Sequence, residues 1–128
     1  MGTVSVRYIV ADVEAAIAFY TERLGFTLEL HPAPGFARLV RGDLRLLLNR
    51  PGAGGAGQAA ADARIPESGG WNRIQLEVVD LEAAVKTLEG AGCRFRSDIV
   101  IGNGGRQVLV DDPSGNPVEL FEPFPAGR

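Results

Sequence analysis

The sequence predicts an α+β fold of two tandem βαβββ modules whose mixed sheets curve into a cup. Three observations lead there. Val10-Ala11-Asp12-Val13-Glu14-Ala15-Ala16-Ile17 returns 68 residues later as Val78-Val79-Asp80-Leu81-Glu82-Ala83-Ala84-Val85, with five positions identical and two exchanged between aliphatic residues. Each copy follows an alternating strand pattern and carries an aspartate suited to a helix N-cap. After each helix come three further strand-like segments. A repeated supersecondary unit fixes architecture before any single motif does, and a site between the copies would draw on matching positions in each. The expected organisation is one domain over 1–128, with a first module at 3–49, a Gly/Ala-rich connector at 50–70 and a second module at 71–123.

In the first module, Val4, Val6, Tyr8 and Val10 alternate with Ser5, Arg7 and Ile9, which predicts a strand with one apolar face. Asp12 caps the helix and Glu14 sits in its first turn, where a negative charge suits the helix dipole. Val13, Ala16, Ile17, Tyr20 and Leu24 recur at helical spacing, and Gly25 supplies the stop. Strands are expected at Phe26 to Leu30, Ala37 to Arg41 and Leu44 to Asn49, joined by Pro32-Ala33-Pro34-Gly35 and by the tight Gly42-Asp43 turn. In the second module Ile74, Leu76 and Val78 alternate with Arg73, Gln75, Glu77 and Val79, and Asp80 is the cap. Leu81, Ala84, Val85 and Leu88 form the stripe, which Gly90 and Gly92 end. Strands follow near Arg94 to Ile99, Gln107 to Asp111 and Val118 to Glu122. The connector has little to bury, which suits a mobile link or a flap over a site.

Composition narrows the function classes. A 128-residue chain with 45% hydrophobic residues can bury one modest core or two half-size ones. Its net charge of -3 and scattered 13 basic residues leave no stripe for nucleic acid. No apolar run approaches the roughly 20 residues that cross a membrane, and no leader pattern opens the chain, so a cytoplasmic location without membrane partners is expected. The single cysteine, Cys93, excludes an internal disulfide and a multi-cysteine metal cluster.

Several signals have a plainer reading. Gly52-Ala53-Gly54-Gly55-Ala56-Gly57 has the glycine spacing of a dinucleotide fingerprint, but an Ala-rich stretch broken by Pro66 is no crossover helix, so it reads as a loop. Gly102-Asn103-Gly104-Gly105 lacks a Lys-Ser/Thr ending and reads as a turn. His31, the only histidine, stands beside Pro32 without partners in sequence and reads as a solvated loop-edge residue. Trp71, just ahead of the second leading strand, either covers a pocket mouth or packs where it stands. The faces not used by the helices carry Ser5, Arg7, Arg73, Gln75 and Glu77, and charged residues there point to a water-accessible concavity.

The run Val10-Ala11-Asp12 through Ala18-Phe19-Tyr20, then Leu24-Gly25-Phe26, and later Asp112-Pro113-Ser114-Gly115-Asn116-Pro117-Val118-Glu119-Leu120-Phe121-Glu122-Pro123, resembles the vicinal oxygen chelate superfamily. That group includes glyoxalase I, the bleomycin-resistance proteins and the extradiol dioxygenases. The likeness spans nearly the whole chain and is specific to the superfamily, not to one activity. In the metal-dependent members, the resemblance implies, a divalent ion sits in the cup, held by His, Glu or Gln from the first and last strand of each module, while metal-free members keep the fold.

Carried onto this chain by counting back from the capping aspartates, the first-strand positions become Ser5 and Arg73, and the last-strand positions Glu119 and either Leu46 or, one register along, Arg45. One of the four expected ligands survives. Arginine has no lone pair to donate and its charge repels a cation, so no metal and no cofactor are expected. Arg73 is expected to stand in the ion's place and pair with Glu119 across the cup, at about 3 Å if the contact is direct.

The resemblance then favours a metal-free, bleomycin-resistance-like homodimer that sequesters a drug-like or natural-product molecule. The ligand would meet Ser5, Arg7, Leu46, Trp71, Arg73, Gln75, Glu77, Glu119 and Phe121. The alternative is a lyase, isomerase or oxygenase with Glu119 or Glu77 as base and Arg73 stabilising an oxyanion, or a metal held by His31 with Glu119 or Glu77.

Overall fold

The computed structural model describes residues 4–125, so Thr3, where the first module was expected to begin, lies outside the described residues. The chain divides into two compact units, Met1–Gly69 with Pro113–Asn116, and Gly70–Asp112 with Pro117–Arg128. The α+β class predicted from the repeat is the one observed, with two mixed sheets and two helices.

The first unit runs β1 (Val4–Ile9), α1 (Val13–Arg23), β2 (Thr27–Ala33), β3 (Phe36–Arg41) and β4 (Leu44–Asn49). Its sheet has the order β1-β4-β3-β2, with β1 parallel to β4 and the other pairs antiparallel. Asp12 accepts a hydrogen bond from the Ala15 N–H at 3.1 Å and fixes the start of α1. Val13, Ala16 and Tyr20 turn inward from the helix, and Phe19, outside the expected stripe, joins them. Tyr20 is the hub: it meets the rings of Tyr8, Phe19 and Phe26 edge to face, at centroid distances of 6.3, 5.1 and 5.5 Å. Val4, expected on the apolar face, is exposed at the strand's start.

The β2 strand runs three residues past its expected end, through Pro32. A proline is tolerated there because β2 is an edge strand and need not donate outward. Its register against β3 shifts twice, between Leu28 and Leu30 and between Leu30 and Ala33, and such irregularity blunts an edge against unwanted pairing.

The Gly-rich stretch after β4 is a set of hydrogen-bonded turns. Arg50 donates to the Gly35 carbonyl, Gly52 to Gly57 and Gly57 to Ala53. A side chain at Gly57 would lie 2.5 Å from the Ala53 backbone. The glycine spacing that imitates a nucleotide fingerprint is therefore accounted for by backbone packing.

The second unit runs β5 (Ile74–Glu77), α2 (Leu81–Gly90), β6 (Arg94–Phe95), β7 (Val100–Ile101), β8 (Gly105–Asp111) and β9 (Pro117–Pro123). Its sheet has the order β5-β9-β8-β6, and β7 also pairs with β8. Asp80 repeats the cap of Asp12, accepting from the Ala83 N–H at 3.1 Å. Ile74, Leu76, Val118, Leu120, Leu81 and Leu88 are buried where α2 covers the sheet.

The single strand expected near Arg94 to Ile99 is instead two short ones. Phe95 opposes Val110 and Val100 opposes Gln107, so five steps of chain face three and the excess bulges out. The bulge keeps its partner satisfied: the Leu109 N–H donates to the Ser97 hydroxyl at 3.3 Å and its carbonyl accepts from Arg96.

Two polar clusters tie loops to the ends of strands and helices. In the first unit, the Ile9 carbonyl accepts from the Asn116 amide at 2.8 Å, the Asn116 side-chain oxygen accepts from the Gly69 N–H at 2.7 Å, and the Ser114 hydroxyl accepts from Ala11. In the second, the Leu81 N–H donates to Glu122 at 2.9 Å, and Arg106 bridges Glu122 and Glu82. The Leu81 N–H first, and the Arg106 guanidinium after it, hold the Glu122 carboxyl below the ordinary carboxylate value. The Glu82 and Glu122 bonds raise the pKa of Arg106 in turn.

Asn116→Ala removes both ends of a buried bridge, so we expect it to cost about 1–3 kcal/mol in urea unfolding. Glu122 has a lower pKa folded than unfolded. Its stabilisation is therefore complete above the ordinary carboxylate range and lost as the pH falls through the depressed value. Thermal midpoints taken from neutral pH to about pH 3 should fall less steeply for Glu122→Gln than for wild type.

Candidate functional site

Strand alternation builds the site. β5 lies parallel to β9 with Ile74 beside Val118, Gln75 beside Glu119, Leu76 beside Leu120 and Glu77 beside Phe121. Ile74, Leu76, Val118 and Leu120 go to the helix side, so the period of two sends Gln75, Glu77, Glu119 and Phe121, together with Arg73, to the other face.

On that face Glu119 is only 7% exposed. A carboxylate so sheltered needs donors, and it has three. One oxygen accepts from Arg73 Nε at 3.0 Å and Nη2 at 2.9 Å, and the other from Gln75 Nε2 at 2.6 Å. Arg73 Nη1 also donates to the Trp71 carbonyl at 3.2 Å. Arg73 and Glu119 thus meet directly, but within one sheet, Arg73 standing just before β5 and Glu119 on the neighbouring β9.

The same face continues onto β8, because Val108 and Val110 belong to the core and Leu109 and Asp111 alternate with them. Asp111 accepts from Arg96 Nε at 2.6 Å, and Arg96 Nη1 donates to the Gly70 carbonyl at 2.6 Å. The Arg96 guanidinium lies over the Trp71 ring, 4.7 Å from its centroid. Sequence reasoning missed Arg96 and Asp111. Their pairing depends on the register of β6 against β8, which no periodicity shows.

Glu77 is exposed and Phe121 is half-buried on the face just described. Ser5 and Arg7 are exposed on β1, opposite Arg45 and Leu47 of β4. Leu46 does not belong with them: it is fully buried on the α1 side of the sheet. The matching position in the first unit is Leu47. The Val10 N–H donates to Asn49 and the Val78 N–H to Phe121, both at 2.9 Å, so Asn49 corresponds to Phe121 and Leu47 to Glu119. Matching Gly42-Asp43 with Gly115-Asn116 misplaces it by one residue, because a two-residue hairpin turn and the longer Asp112–Asn116 loop are built differently.

His31 lies in the first unit, 3.3 Å from Glu14, with its buried Nε2 lacking a hydrogen bond.

The donor set does not suit a divalent cation. Arg73 presents N–H groups, not lone pairs, to the one carboxylate at an expected ligand position, and its counterpart is the aliphatic Leu47. Among the described residues no three His, Cys, Asp or Glu side chains gather as a metal would require. Both Glu119 oxygens are already engaged as acceptors, by Arg73 and by Gln75. No helix among the described residues is long and apolar enough to cross a membrane.

The sequence matches the family described as Glyoxalase/Bleomycin resistance protein/Dioxygenase superfamily over residues 2–120. No curated protein matches it. Among solved structures, the fold is similar to a member of the same superfamily from Sphaerobacter thermophilus DSM 20745, at 28% identity and TM-score 0.75 over 95% of this chain and 97% of that one. It is also similar to TnmS3, an antibiotic binding protein from Streptomyces sp. CB03234, at 24% identity and TM-score 0.73 over 97% of each chain. A lactoylglutathione lyase from Agrobacterium tumefaciens shares the fold at 24% identity and TM-score 0.72, over 93% of this chain and 91% of that one.

Removing Arg73 should leave a sheltered charge without its cation. We expect Arg73→Met to cost about 2–4 kcal/mol, and the double variant Arg73→Met/Glu119→Gln to recover a large part of that in urea unfolding.

Proposed function

Since the chain belongs to the Glyoxalase/Bleomycin resistance protein/Dioxygenase superfamily, we propose that it is a metal-free member that binds and sequesters a small molecule. The ligand would lie against the open face of the Gly70–Asp112 unit. One observation carries this reading. At the position where the superfamily resemblance implies a metal-binding carboxylate, Glu119 is satisfied by Arg73 and Gln75.

Arginine has five N–H hydrogens, and three bonds of Arg73 account for one each on Nε, Nη1 and Nη2. One hydrogen on each terminal nitrogen is left to meet a ligand oxygen. A carboxylate, phenolate or amide oxygen suits that pair, with the guanidinium held in place by the carboxylate behind it. In this role Glu119 and Gln75 position Arg73, and Arg73 makes the contact. The antibiotic-binding relative has the same fold and supports this reading, while the lyase shares the fold equally well. The geometry around Glu119 favours binding over proton abstraction. A homodimer without membrane or nucleic-acid partners is part of the proposal.

Elemental analysis of the purified protein should find no stoichiometric Fe, Mn, Ni or Zn, and chelator treatment should leave the thermal midpoint unchanged. Thermal-shift screening should give stabilisation by aromatic natural products bearing a carboxylate or phenol, and Arg73→Leu should abolish it. Stoichiometric metal that is lost together with stability on chelation would overturn the proposal.

A further inference from the structure

Trp71 is the chain's one tryptophan, and it stands 67% exposed. An indole so open to water adds little burial to the fold, yet it is held at several points. The Arg96 guanidinium covers part of it at 4.7 Å from the ring centroid. Arg96 is itself fixed by Asp111 and by the Gly70 carbonyl, each at 2.6 Å, and the Arg96 and Asp111 side chains are only 18% and 19% exposed. From the other side, the Trp71 carbonyl accepts from Arg73. A sheltered ion pair thus lies against an aromatic residue that is two-thirds exposed.

We propose that Trp71 is a stacking platform for a planar aromatic ligand that carries a carboxylate or phenolate, and that Arg96 is the residue that positions it. The inference rests on the binding function above and adds the chemical class of the ligand. A ring stacks on an indole with little regard to its substituents, and a ring already ordered loses little entropy on binding. The cation on one face draws on the electron density of the indole. The uncovered face is then poor for a second cation and good for a neutral or anionic ring. Arg73 stands two residues on and donates to the Trp71 carbonyl, and in this proposal it receives the ligand's oxygen.

The test uses the full chain with 2-naphthoate as probe, and cyclohexanecarboxylate and phenyltrimethylammonium as controls. Naphthoate should quench the single tryptophan saturably. By calorimetry it should bind about tenfold more tightly than either control. Trp71→Ala should weaken it by about tenfold with an unchanged thermal midpoint, while Trp71→Phe should retain part of the affinity. Arg96→Met should weaken binding and raise the acrylamide quenching of Trp71, because the covered face opens, and Arg96→Lys should restore part of both. Non-saturable quenching matching that of N-acetyltryptophanamide would overturn the inference. So would naphthoate binding that is unchanged in Trp71→Ala. If that binding is lost in Arg73→Leu, the small-molecule function stands without the platform. If it is unchanged in both variants, the two proposals fall together.

Discussion

Glu119 is a carboxylate taken out of water, and the requirement that this imposes organises the second unit. Its place on the strand is fixed by neighbours it does not touch: Val118 and Leu120 must face α2, so the residue between them faces away. At 7% exposure its charge would be costly alone. The parallel register places Gln75 beside it, and two residues earlier Arg73 reaches the other oxygen. Arg73 is in turn tied to the Trp71 backbone, and the Trp71 ring to Arg96 and Asp111. A chain of satisfied charges therefore extends from β9 over β5 and back to β8, with each cation held on one side by a carboxylate.

The two copies share scaffold and differ in chemistry. Their capping aspartates have nearly the same backbone, with φ and ψ of -132° and 104° at Asp12 and -135° and 97° at Asp80. Across the matching strand positions, Ser5 answers Arg73, Arg7 answers Gln75, Leu47 answers Glu119 and Asn49 answers Phe121. Helix starts tolerate little change because the exposed N–H groups need an acceptor. The open face of a sheet carries no such obligation, so its residues are free to diverge. With Leu47 opposite Arg7, the first unit holds no counterpart to the Arg73–Glu119 pair at these positions.

What the sequence made legible follows the same division. Caps, helix stripes and the bounds of β4 depend on local pattern, and a repeat doubles that pattern. The Arg73–Glu119 pair could be anticipated because both residues are counted from repeated landmarks. Leu46 was misassigned because its landmark was a turn, and turns in the two copies have different lengths. Phe19 escaped because the interior of the first unit is wider than the narrow stripe expected of α1. Arg96 and Asp111 were out of reach altogether. They meet because β6 pairs with β8 in the register that sets Arg94 opposite Asp111, and a register between strands distant in sequence leaves no period in the chain.

The segment on which the family likeness most visibly rests has a different task from the one its neighbours perform. Ser114 and Asn116 sit in the first unit, where they satisfy the Ala11 N–H, the Ile9 carbonyl and the Gly69 N–H at the point where β1 gives way to α1. These are backbone groups outside the ladders of the sheets, and the Ile9 carbonyl takes a second hydrogen bond from the Ser68 hydroxyl. Three residues after Asn116 the chain reaches Glu119, where the side chains of the open face take over. Membership of the superfamily is thus written in residues that close the fold. Arg73, Gln75 and Trp71 are residues whose identities the fold leaves open, so likeness to a lyase and to an antibiotic-binding protein can coexist on one scaffold.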